Sequence, residues 1–581
     1  MKRLRKVLSL AFSLYERVKI MLKQHSQLFW RLIFSFIALT VFICPLLTII
    51  IKGIETPAGL GFENFALIFD SSRTFQAIKN TLILGLGSTC ISFIFGLLVA
   101  IIVAYTNIRF KKAFELLTIL PFVIPGYIMT LSWTSVFAFN SPMNSLLTQL
   151  KLPMVNLYSM GGMIFILGLS NAALVYLNVI DILKKVPIEQ EWASRISGYN
   201  IVSTLKNINL PSAKYGIANG IILAFLSAID NFAIVSTLGT PSGIPVLSTY
   251  IYEKAIGFGP HSFNEAAVLS IILSLIAFTG VAFRAYMLRK SVAIDTERAR
   301  SNDRIQLTPK YRRTVEGMMF IILLTLNILP LVTMFFSSLQ VGYSRSIFDV
   351  SNMALDNYAF ILQTPSMYNG FWNSFILTTL AILVCLMLSI FATYYKSRID
   401  SKATSLLELG ASITYSTPGI VLALSMILYW SNVPNVYGSL LILFIAYITR
   451  YFLVIFNGSS TAITSIPVDL EQSAQISGSK QPQIWRKIIL PLMKGQLLSS
   501  SFLMFSSALT ELTLSSLLAA ANTKTIGLTI YNLQTSGDTN TAQAYSVLLT
   551  LFILLLLFCR NYFLAKEEKS IDGSNDNYSV K

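Results

Sequence analysis

The sequence has few charged side chains for its length, and this scarcity argues against a soluble globular protein. Only 12% of its 581 residues are charged, whereas 54% are hydrophobic, and the mean hydropathy is +0.65. A soluble chain of this size would need more polar surface, so we predict an integral membrane protein. Runs such as 32–51 and 81–105 reach the roughly 20 apolar residues that cross a bilayer as a helix. They lack the alternation of barrel strands, so we expect helices.

Histidine and cysteine are also scarce, which argues against metal and disulfide chemistry. His25 and His261 are the two histidines, and they are too far apart to suggest a cluster. The four cysteines lie in apolar runs without the spacing of zinc sites: Cys44, Cys90, Cys385 and Cys559. We therefore expect no metal site, no disulfide framework and no catalytic residue. A membrane-embedded enzyme would need a convergent His, Ser or carboxylate site, and the sequence shows none.

The basic charge of the chain could suggest a nucleic-acid partner, but its distribution does not. The 44 Lys and Arg residues against 27 Asp and Glu give a net charge of +17. If the N-terminus is cytoplasmic, most of these basic residues fall in the predicted inside segments. The positive-inside rule explains that bias, so we expect the lipid bilayer and no nucleic acid as a partner.

The apolar runs predict twelve spans in two halves of six. We place them near 32–51, 81–105, 114–137, 160–180, 216–238 and 266–283, and near 315–338, 373–395, 405–429, 438–457, 498–519 and 542–559. Six spans return the chain to its starting side, so both halves should have the same orientation. This parallel arrangement differs from the inverted repeats of many secondary transporters.

The spans and the polar stretches between them define five predicted segments. They are a basic cytoplasmic N-terminal segment (1–31), a first transmembrane domain (32–283), a cytoplasmic linker (284–314), a second transmembrane domain (315–563) and a polar tail (564–581). We interpret 1–31 either as a helix on the membrane surface or as a disordered tail.

An internal repeat carries most of the functional information. EWASRISGYNIVSTLKNINLP begins at Glu191, and EQSAQISGSKQPQIWRKIILP begins at Glu471, 280 positions later. Each copy has a Glu, a Gly seven residues later and then Ile-x-Leu-Pro. Glycine permits a tight turn, and proline is tolerated in the first turn of the next helix. Each copy therefore predicts a helix-turn-helix elbow on the cytoplasmic face.

Further matches support duplication, with a shift in spacing. Asn80 and Asn373 open corresponding spans, and Pro125-Gly126 recurs as Pro418-Gly419. These pairs are 293 positions apart rather than 280. The difference predicts 13 extra residues in the first half, in the external loop near 141–157.

The repeated segment resembles the EAA loop of ABC importer permeases. The first copy matches the family pattern at Glu191, Ala193, Gly198, Ile208, Leu210 and Pro211. The second copy matches at Glu471, Gly478, Ile488, Leu490 and Pro491. Trp192 in the first copy, and Gln472 and Ser473 in the second, depart from the pattern, which puts equal coupling by the two loops in doubt.

The resemblance covers the whole chain and is closest to the fused permeases of ferric iron importers. It implies an all-α membrane protein of the type I importer class, with the MetI-like permease fold. It also implies two copies of a separate ABC ATPase subunit docked on the two loops, and an extracytoplasmic solute-binding protein. The chain should lie in the bacterial cytoplasmic membrane.

ATP use is expected on the partner rather than on this chain. The sequence lacks a Gly-x-x-x-x-Gly-Lys-Ser/Thr phosphate loop. We therefore expect that this chain binds no cofactor and that the partner ATPase uses ATP and Mg.

Charged and helix-breaking residues within the spans are candidates for the translocation pathway. Charges in the membrane are costly and often functional, which singles out Asp230, Glu511 and Arg450. The alternatives for the two carboxylates are hydrogen bonds to neighbouring helices or positions near the outer interface, and for Arg450 they are structural pairing or the cytoplasmic interface. Four helix-breaking residues could kink helices along the pathway or serve packing only: Pro125, Gly126, Pro418 and Gly419.

Other readings of the sequence remain open. Thiamine, phosphonate and polyamine importers have related permeases, so the solute could be one of these instead of ferric iron. An ion-coupled secondary transporter would need no ATPase, and the duplicated loop argues against it. We interpret Tyr252 and Tyr531 as interfacial anchors rather than substrate ligands.

Overall fold

Helices form most of the part of the chain that this computed structural model describes. The described residues are 28–576 except 58, 139–140, 258, 290–303, 343–345 and 400, with side chains as far as 561. Most of the predicted N-terminal segment (1–31), the middle of the predicted linker (284–314) and the end of the predicted tail (564–581) lie outside this part. The five segment boundaries therefore stay predictions.

The first half contains thirteen described helices and one short ribbon. The helices are α1 (Leu28–Ile54), α2 (Glu63–Asp70), α3 (Ser72–Tyr105), α4 (Lys111–Val123), α5 (Gly126–Val136), α6 (Pro142–Gln149), α7 (Met160–Lys185), α8 (Ile188–Ile196), α9 (Ile201–Ser212), α10 (Lys214–Asp230), α11 (Phe232–Leu238), α12 (Leu247–Ile256) and α13 (Ser262–Arg289). Strands β1 (Glu55–Thr56) and β2 (Gly59–Leu60) form an antiparallel ribbon after α1, with Glu55 opposite Leu60.

The second half repeats this order. Its described helices are α14 (Pro309–Ser338), α15 (Asp356–Gln363), α16 (Pro365–Ile399), α17 (Lys402–Ser416), α18 (Gly419–Trp430), α19 (Leu440–Thr464), α20 (Val468–Ile476), α21 (Gln481–Leu509), α22 (Thr513–Leu518), α23 (Ile526–Thr535) and α24 (Thr539–Asp576).

The predicted set of about twelve spans is confirmed, but three of them are bent helix pairs rather than single helices. In the described residues, nine helices are long and apolar enough to span a membrane, and three bent pairs raise the number to twelve. Helices α4 and α5 meet at 104°, and α17 and α18 meet at 118°. The third bent pair is α9 and α10, at 69°.

Proline explains the two sharpest bends. Ile124 and Thr417 precede Pro125 and Pro418, and both have extended backbone angles. A residue before proline is disfavoured in the helical region because its backbone clashes with the proline ring. Each helix therefore ends before its proline and restarts at the glycine that follows.

Helix α6 accounts for the predicted change in spacing between the halves. The offset between equivalent helix starts is 293 at Gly126 and Gly419, and 280 at Met160 and Leu440. Between these points the first half contains α6, whereas the second half has only a turn from Ser431 to Ser439. The extra residues lie where the sequence predicted them.

The first span of each half packs against the other half. Phe42 of α1 lies 5.5 Å, between ring centroids, from Phe452 of α19. In the reciprocal contact, Phe320 of α14 lies 4.6 Å from Phe114 of α4. Phe42, Phe114 and Phe452 are fully buried. The halves are therefore joined by two exchanged helices as well as by the linker.

Candidate functional site

Each repeated segment forms the predicted elbow, with glycine at the turn. Helix α8 ends in a Schellman motif, in which Tyr199 N donates to Ser194 O (3.1 Å) and Gly198 N donates to Arg195 O (3.0 Å). Gly198 has φ +87° and Gly478, at the end of α20, has φ +83°. Side chains other than glycine are strained in this left-handed region, which explains the residue type at both turns.

An apolar side chain projects from the end of each elbow helix. Ile196 and Ile476 occupy equivalent positions, and each has 88% of its surface exposed. Trp192, Tyr199 and Val202 extend the exposed apolar surface of the first elbow. Exposed apolar surface rimmed by polar residues is typical of a protein interaction site. Each elbow can therefore offer an exposed isoleucine to a partner, and the first elbow offers the larger apolar surface.

The glutamate that opens the first elbow is buried in an ion pair. The Glu191 carboxylate contacts the Arg304 guanidinium, and the two side chains are only 8% and 4% exposed. Glu191 Oε1 also accepts a hydrogen bond of 2.6 Å from Asn209 Nδ2. Arg304 donates to Val186 O at 2.6 Å. The elbow is thereby fixed to the chain that leaves α7.

The second elbow has the same arrangement with different neighbours. Arg398 Nη2 lies 2.8 Å from Glu471 Oε1, and the two side chains are 11% and 6% exposed. The same guanidinium donates to Ile466 O at 3.0 Å. Tyr394 supplies a further hydrogen bond of 3.3 Å to Glu471 Oε2. The second elbow is fixed to the chain that leaves α19.

Each proline of the repeat lies in the first turn of an α-helical segment, as predicted, and this segment continues the preceding helical turns without a break. Pro211 is near the end of α9, and Pro491 is near the middle of α21. Each follows a short π-helical segment, Leu205–Asn209 and Trp485–Ile489. A proline ring clashes with the carbonyl four residues earlier, and the wider π turn relieves this conflict.

The remaining repeat residues lie beside these turns. Ala193 is exposed on α8, and Ile208 and Ile488 are half-buried within the π segments. Leu210 is half-buried and Leu490 is exposed, each directly before its proline.

The sequence-predicted pathway residues Asp230 and Arg450 meet between the halves. Arg450 Nη2 lies 2.5 Å from Asp230 Oδ2, and Arg450 Nη1 donates to Thr417 O at 2.6 Å. Asp230 Oδ1 accepts a hydrogen bond of 2.5 Å from Gly419 N. One ion pair thus joins the end of α10 to α19 and to the bend between α17 and α18.

Glu511 has a different place in the fold from Asp230. Its Oε1 accepts a hydrogen bond of 3.0 Å from Leu514 N, and its Oε2 accepts one from the Tyr451 hydroxyl. Asn231 makes the equivalent cap at Ile234 N, at 2.9 Å. The counterpart of Glu511 is therefore Asn231, at the 280-residue offset of the repeat.

These groups line one cavity at the helix breaks. Asp230, Arg450 and Glu511 border a space of about 170 Å³, together with Ser227, Asn231, Phe232, Ala233 and Thr513. Polar groups at broken helices are tolerated where they are buried in protein or line a cavity. Among the described residues, no group of three or more His, Cys, Asp or Glu side chains could hold a metal ion.

Tyr252 and Tyr531 both pack against one buried ring, and their role as interfacial anchors stays a prediction. Both rings pack around Phe232, with centroids 5.2 Å and 6.4 Å from the Phe232 ring. Phe232 is fully buried and also lines the cavity. The two tyrosines thus form an aromatic cluster next to the cavity.

Sequence reasoning missed the partners of the elbow glutamates. Arg304 lies in the charged linker and Arg398 at the end of α16, and neither was singled out. The repeat itself held a signal, because Tyr105 is the counterpart of Arg398 at the 293-residue offset. Both halves have the glutamate, but only the second half has an arginine at this position. The first half must therefore obtain its arginine from another part of the chain.

The fold and the paired elbows define a multi-pass membrane permease built from two like halves. The chain matches the family described as "Binding-protein-dependent transport system inner membrane component" over residues 92–289 and 386–571, which together exceed half of its length. The chain therefore belongs to this family, as an ABC importer permease of the cytoplasmic membrane. Both predicted halves are represented in the match.

Two relatives named for ferric transport match over most of the chain, and a sugar permease matches over less than half of it. The "Ferric transport system permease protein FbpB" of Actinobacillus pleuropneumoniae is 24% identical over 538 residues, 91% of this chain and 76% of the relative. The "Fe(3+)-transport system permease protein FbpB 2" of Haemophilus influenzae is 23% identical over 513 residues, 87% of this chain and 93% of the relative. The "Galactooligosaccharides transport system permease protein GanP" of Bacillus subtilis is 27% identical over 236 residues, 37% of this chain and 56% of the relative.

Proposed function

We propose that this chain is the permease subunit of an ATP-driven importer of ferric iron and that its two elbows bind two copies of a separate ATPase subunit. The observation that carries the proposal is the matched pair of elbows, each with a buried glutamate and an exposed isoleucine. An extracytoplasmic solute-binding protein delivers the solute. The chain itself hydrolyses no ATP.

The buried ion pairs make each elbow a rigid extension of the preceding span. Glu191 and Glu471 are each bonded to an arginine that also holds the backbone at the foot of the elbow, at Val186 and Ile466. A buried, charge-assisted network resists deformation because breaking it leaves an uncompensated charge. A displacement of the docked ATPase therefore moves the span as well as the elbow.

The second elbow is connected to the intramembrane ion pair by one helix. Helix α19 ends at Thr464, four residues before α20, and it carries Arg450. The distance from Arg450 to Thr464 is about 21 Å along a helix that rises 1.5 Å per residue. Closure of the ATPase pair would tilt α19 and separate Arg450 from Asp230. Access to the cavity would then alternate between the two sides.

Ferric iron is the proposed solute because of the relatives and the chemistry of the cavity. The two relatives named for ferric transport match along at least 87% of this chain, whereas the named sugar permease matches 37%. Asp230 and Glu511 supply the hard oxygen atoms that suit a trivalent cation. Displacement of Arg450 would free the Asp230 carboxylate for the passing ion.

Reconstitution tests this proposal. The chain is co-purified with its ATPase and reconstituted into liposomes, and ATP turnover is measured with iron-loaded or thiamine-loaded binding protein. We expect stimulation by the iron-loaded protein. Stimulation by the thiamine-loaded protein alone would show that the solute is thiamine rather than ferric iron, and the chain would still be an importer permease. Uptake that needs an ion gradient and no ATP would indicate a secondary transporter.

A further inference from the structure

The linker between the halves supplies the arginine that holds the first elbow. Arg304 and Ile305 donate backbone hydrogen bonds to Tyr105 O at 3.1 Å and 2.8 Å, at the end of α3. Leu307 N donates to the side chain of Asn107 at 3.0 Å. These contacts fix the linker as a short strap on the first half, directly before α14 begins at Pro309.

Arg304 of the strap takes the place of an arginine that the second half carries in its own helix α16. Tyr105 in α3 is the counterpart of Arg398 in α16, at the 293-residue offset. The Arg304 guanidinium lies over the Tyr105 ring, 5.1 Å from its centroid. From there it reaches Glu191 and Val186 O, as Arg398 reaches Glu471 and Ile466 O. Glu471 and Ile466 are the counterparts of Glu191 and Val186 at the 280-residue offset.

We propose that Arg304 is a positioning residue for coupling, and that the linker ties the first elbow to the first span of the second half. Helix α14 follows the strap directly and packs on α4 of the first half through Phe320 and Phe114. Displacement of the first elbow is thereby transmitted to α7 and to α14 together. The second elbow has no such tie among the described residues, because Arg398 belongs to α16, which precedes it in the same half.

This geometry makes the linker a working part of the importer rather than a passive connection. The burial of the Arg304 side chain, which is 4% exposed, argues against an incidental surface contact. A buried guanidinium needs its carboxylate and carbonyl partners, so the strap and the elbow stabilise each other. The inference rests on the proposed function, because it assumes that the elbow couples the chain to an ATPase.

Relocation of the arginine tests the proposal. The Arg304→Ala and Arg304→Gln variants remove the guanidinium. The Tyr105→Arg, Arg304→Ala double variant places an arginine where the second half has one. The Tyr105→Ala, Arg304→Ala variant has no arginine at either position and is the matched control. Arg313→Ala, which removes an exposed arginine of α14, controls for loss of charge. Each variant is reconstituted with the ATPase, and solute uptake and ATP hydrolysis are measured together.

We expect Arg304→Ala and Arg304→Gln to lower solute uptake per ATP by about fivefold or more, the lower end of typical coupling between sites. ATPase binding should persist. The relocated arginine should restore most of the coupling. The matched control should be as impaired as Arg304→Ala, and Arg313→Ala should behave like the unmodified chain. If the single variants fail to assemble with the ATPase, the two double variants still test the role of the arginine. Only the variant with the relocated arginine should then assemble.

Two results would overturn the role of Arg304. One is normal coupling in Arg304→Ala, and the other is a relocated-arginine variant as impaired as its matched control. Failure of the proposed function has a different signature, because the unmodified chain would then show no ATP-dependent uptake at all.

Discussion

Ile196 and Ile476 occupy the same position on the two elbow helices, and each presents 88% of its surface to solvent. Exposed apolar surface rimmed by polar residues is typical of interaction sites, and its repetition in the two halves supports the proposed docking of two ATPase subunits. The buried glutamate at the start of each elbow supports the helix that carries the isoleucine. In the proposed function, the exposed isoleucine binds the ATPase and the buried glutamate lets the elbow transmit the movement of the ATPase to the spans.

Replacing both isoleucines should abolish ATPase binding. In the Ile196→Asp, Ile476→Asp variant each docking surface loses its apolar contact and gains a charge. We expect a loss of about 2 kcal/mol or more per site, or roughly thirtyfold in Kd, as for an interface hot spot. The measurement is co-purification and titration of the ATPase against the purified permease. Leu60→Asp is the matched control, because Leu60 is 77% exposed but lies after α1, away from the elbows. Undiminished ATPase binding by the double variant would rule out these surfaces.

Side chains at the two turn glycines should uncouple ATP use from transport. The Gly198→Val, Gly478→Val variant forces a β-branched residue into the left-handed region, at a cost of about 1–2 kcal/mol per turn. A Cβ at either position would meet no atom within 4 Å, so the effect comes from backbone strain rather than from a clash. Uptake per ATP is the quantity to measure. Gly317→Val in α14 is the control, since that position also has open space but no positive φ. Normal uptake in the double variant would refute the role of the turns.

Breaking the ion pair between the halves should impair both stability and transport. Arg450→Met leaves Asp230 without its cation, and we expect a loss of about 1–3 kcal/mol, since the pair is only partly buried. Adding Asp230→Asn removes the unpaired charge and keeps an oxygen for Gly419 N. Thermal unfolding should then recover in the double variant while uptake stays low. Recovery of uptake together with stability would show that the pair is structural only.

Removing the charge of Glu511 should test the cavity without disturbing the fold. In Glu511→Gln the side chain keeps an oxygen for Leu514 N and loses its negative charge, and its amide can donate to the Tyr451 hydroxyl, which donates to Glu511 in the unmodified chain. If the cavity passes a trivalent cation, uptake should fall by about tenfold, the equivalent of a 1.4 kcal/mol rise in the barrier. The control is Asn231→Asp, which adds a carboxylate at the counterpart position and should leave uptake unchanged or raise it. Equal uptake by Glu511→Gln and the unmodified chain would exclude the carboxylate from the route.

The sequence predicted the architecture well because lipid imposes a simple requirement. A helix must satisfy its own backbone and must be about 20 apolar residues long, so hydropathy located all twelve spans. The repeat located the two proline-glycine pairs at which helices break, but the sequence did not predict the bend angles of 104° and 118°. Those angles depend on distant contacts, such as the hydrogen bond from Gly419 N to Asp230.

The elbows were predictable from local spacing, whereas their supports were not. Gly198 and Gly478 lie in a pattern that repeats at a fixed offset. The partners of Asp230 and Glu191 are 220 and 113 residues away in the chain, and no local pattern connects them. Comparison of the halves helps to find the partner of Glu191. Tyr105 occupies the position equivalent to Arg398, so the arginine that pairs with Glu191 must come from elsewhere in the chain.

Photo-crosslinking from the tips of the two elbows shows directly whether both elbows contact the ATPase. A photoreactive phenylalanine analogue is placed at position 196 or 476, and at position 60 as the control, in the chain assembled with its ATPase in membranes. The account predicts adducts with the ATPase chain from 196 and from 476, and none from 60. Absence of ATPase adducts from both elbows, in membranes where the complex hydrolyses ATP, would contradict it.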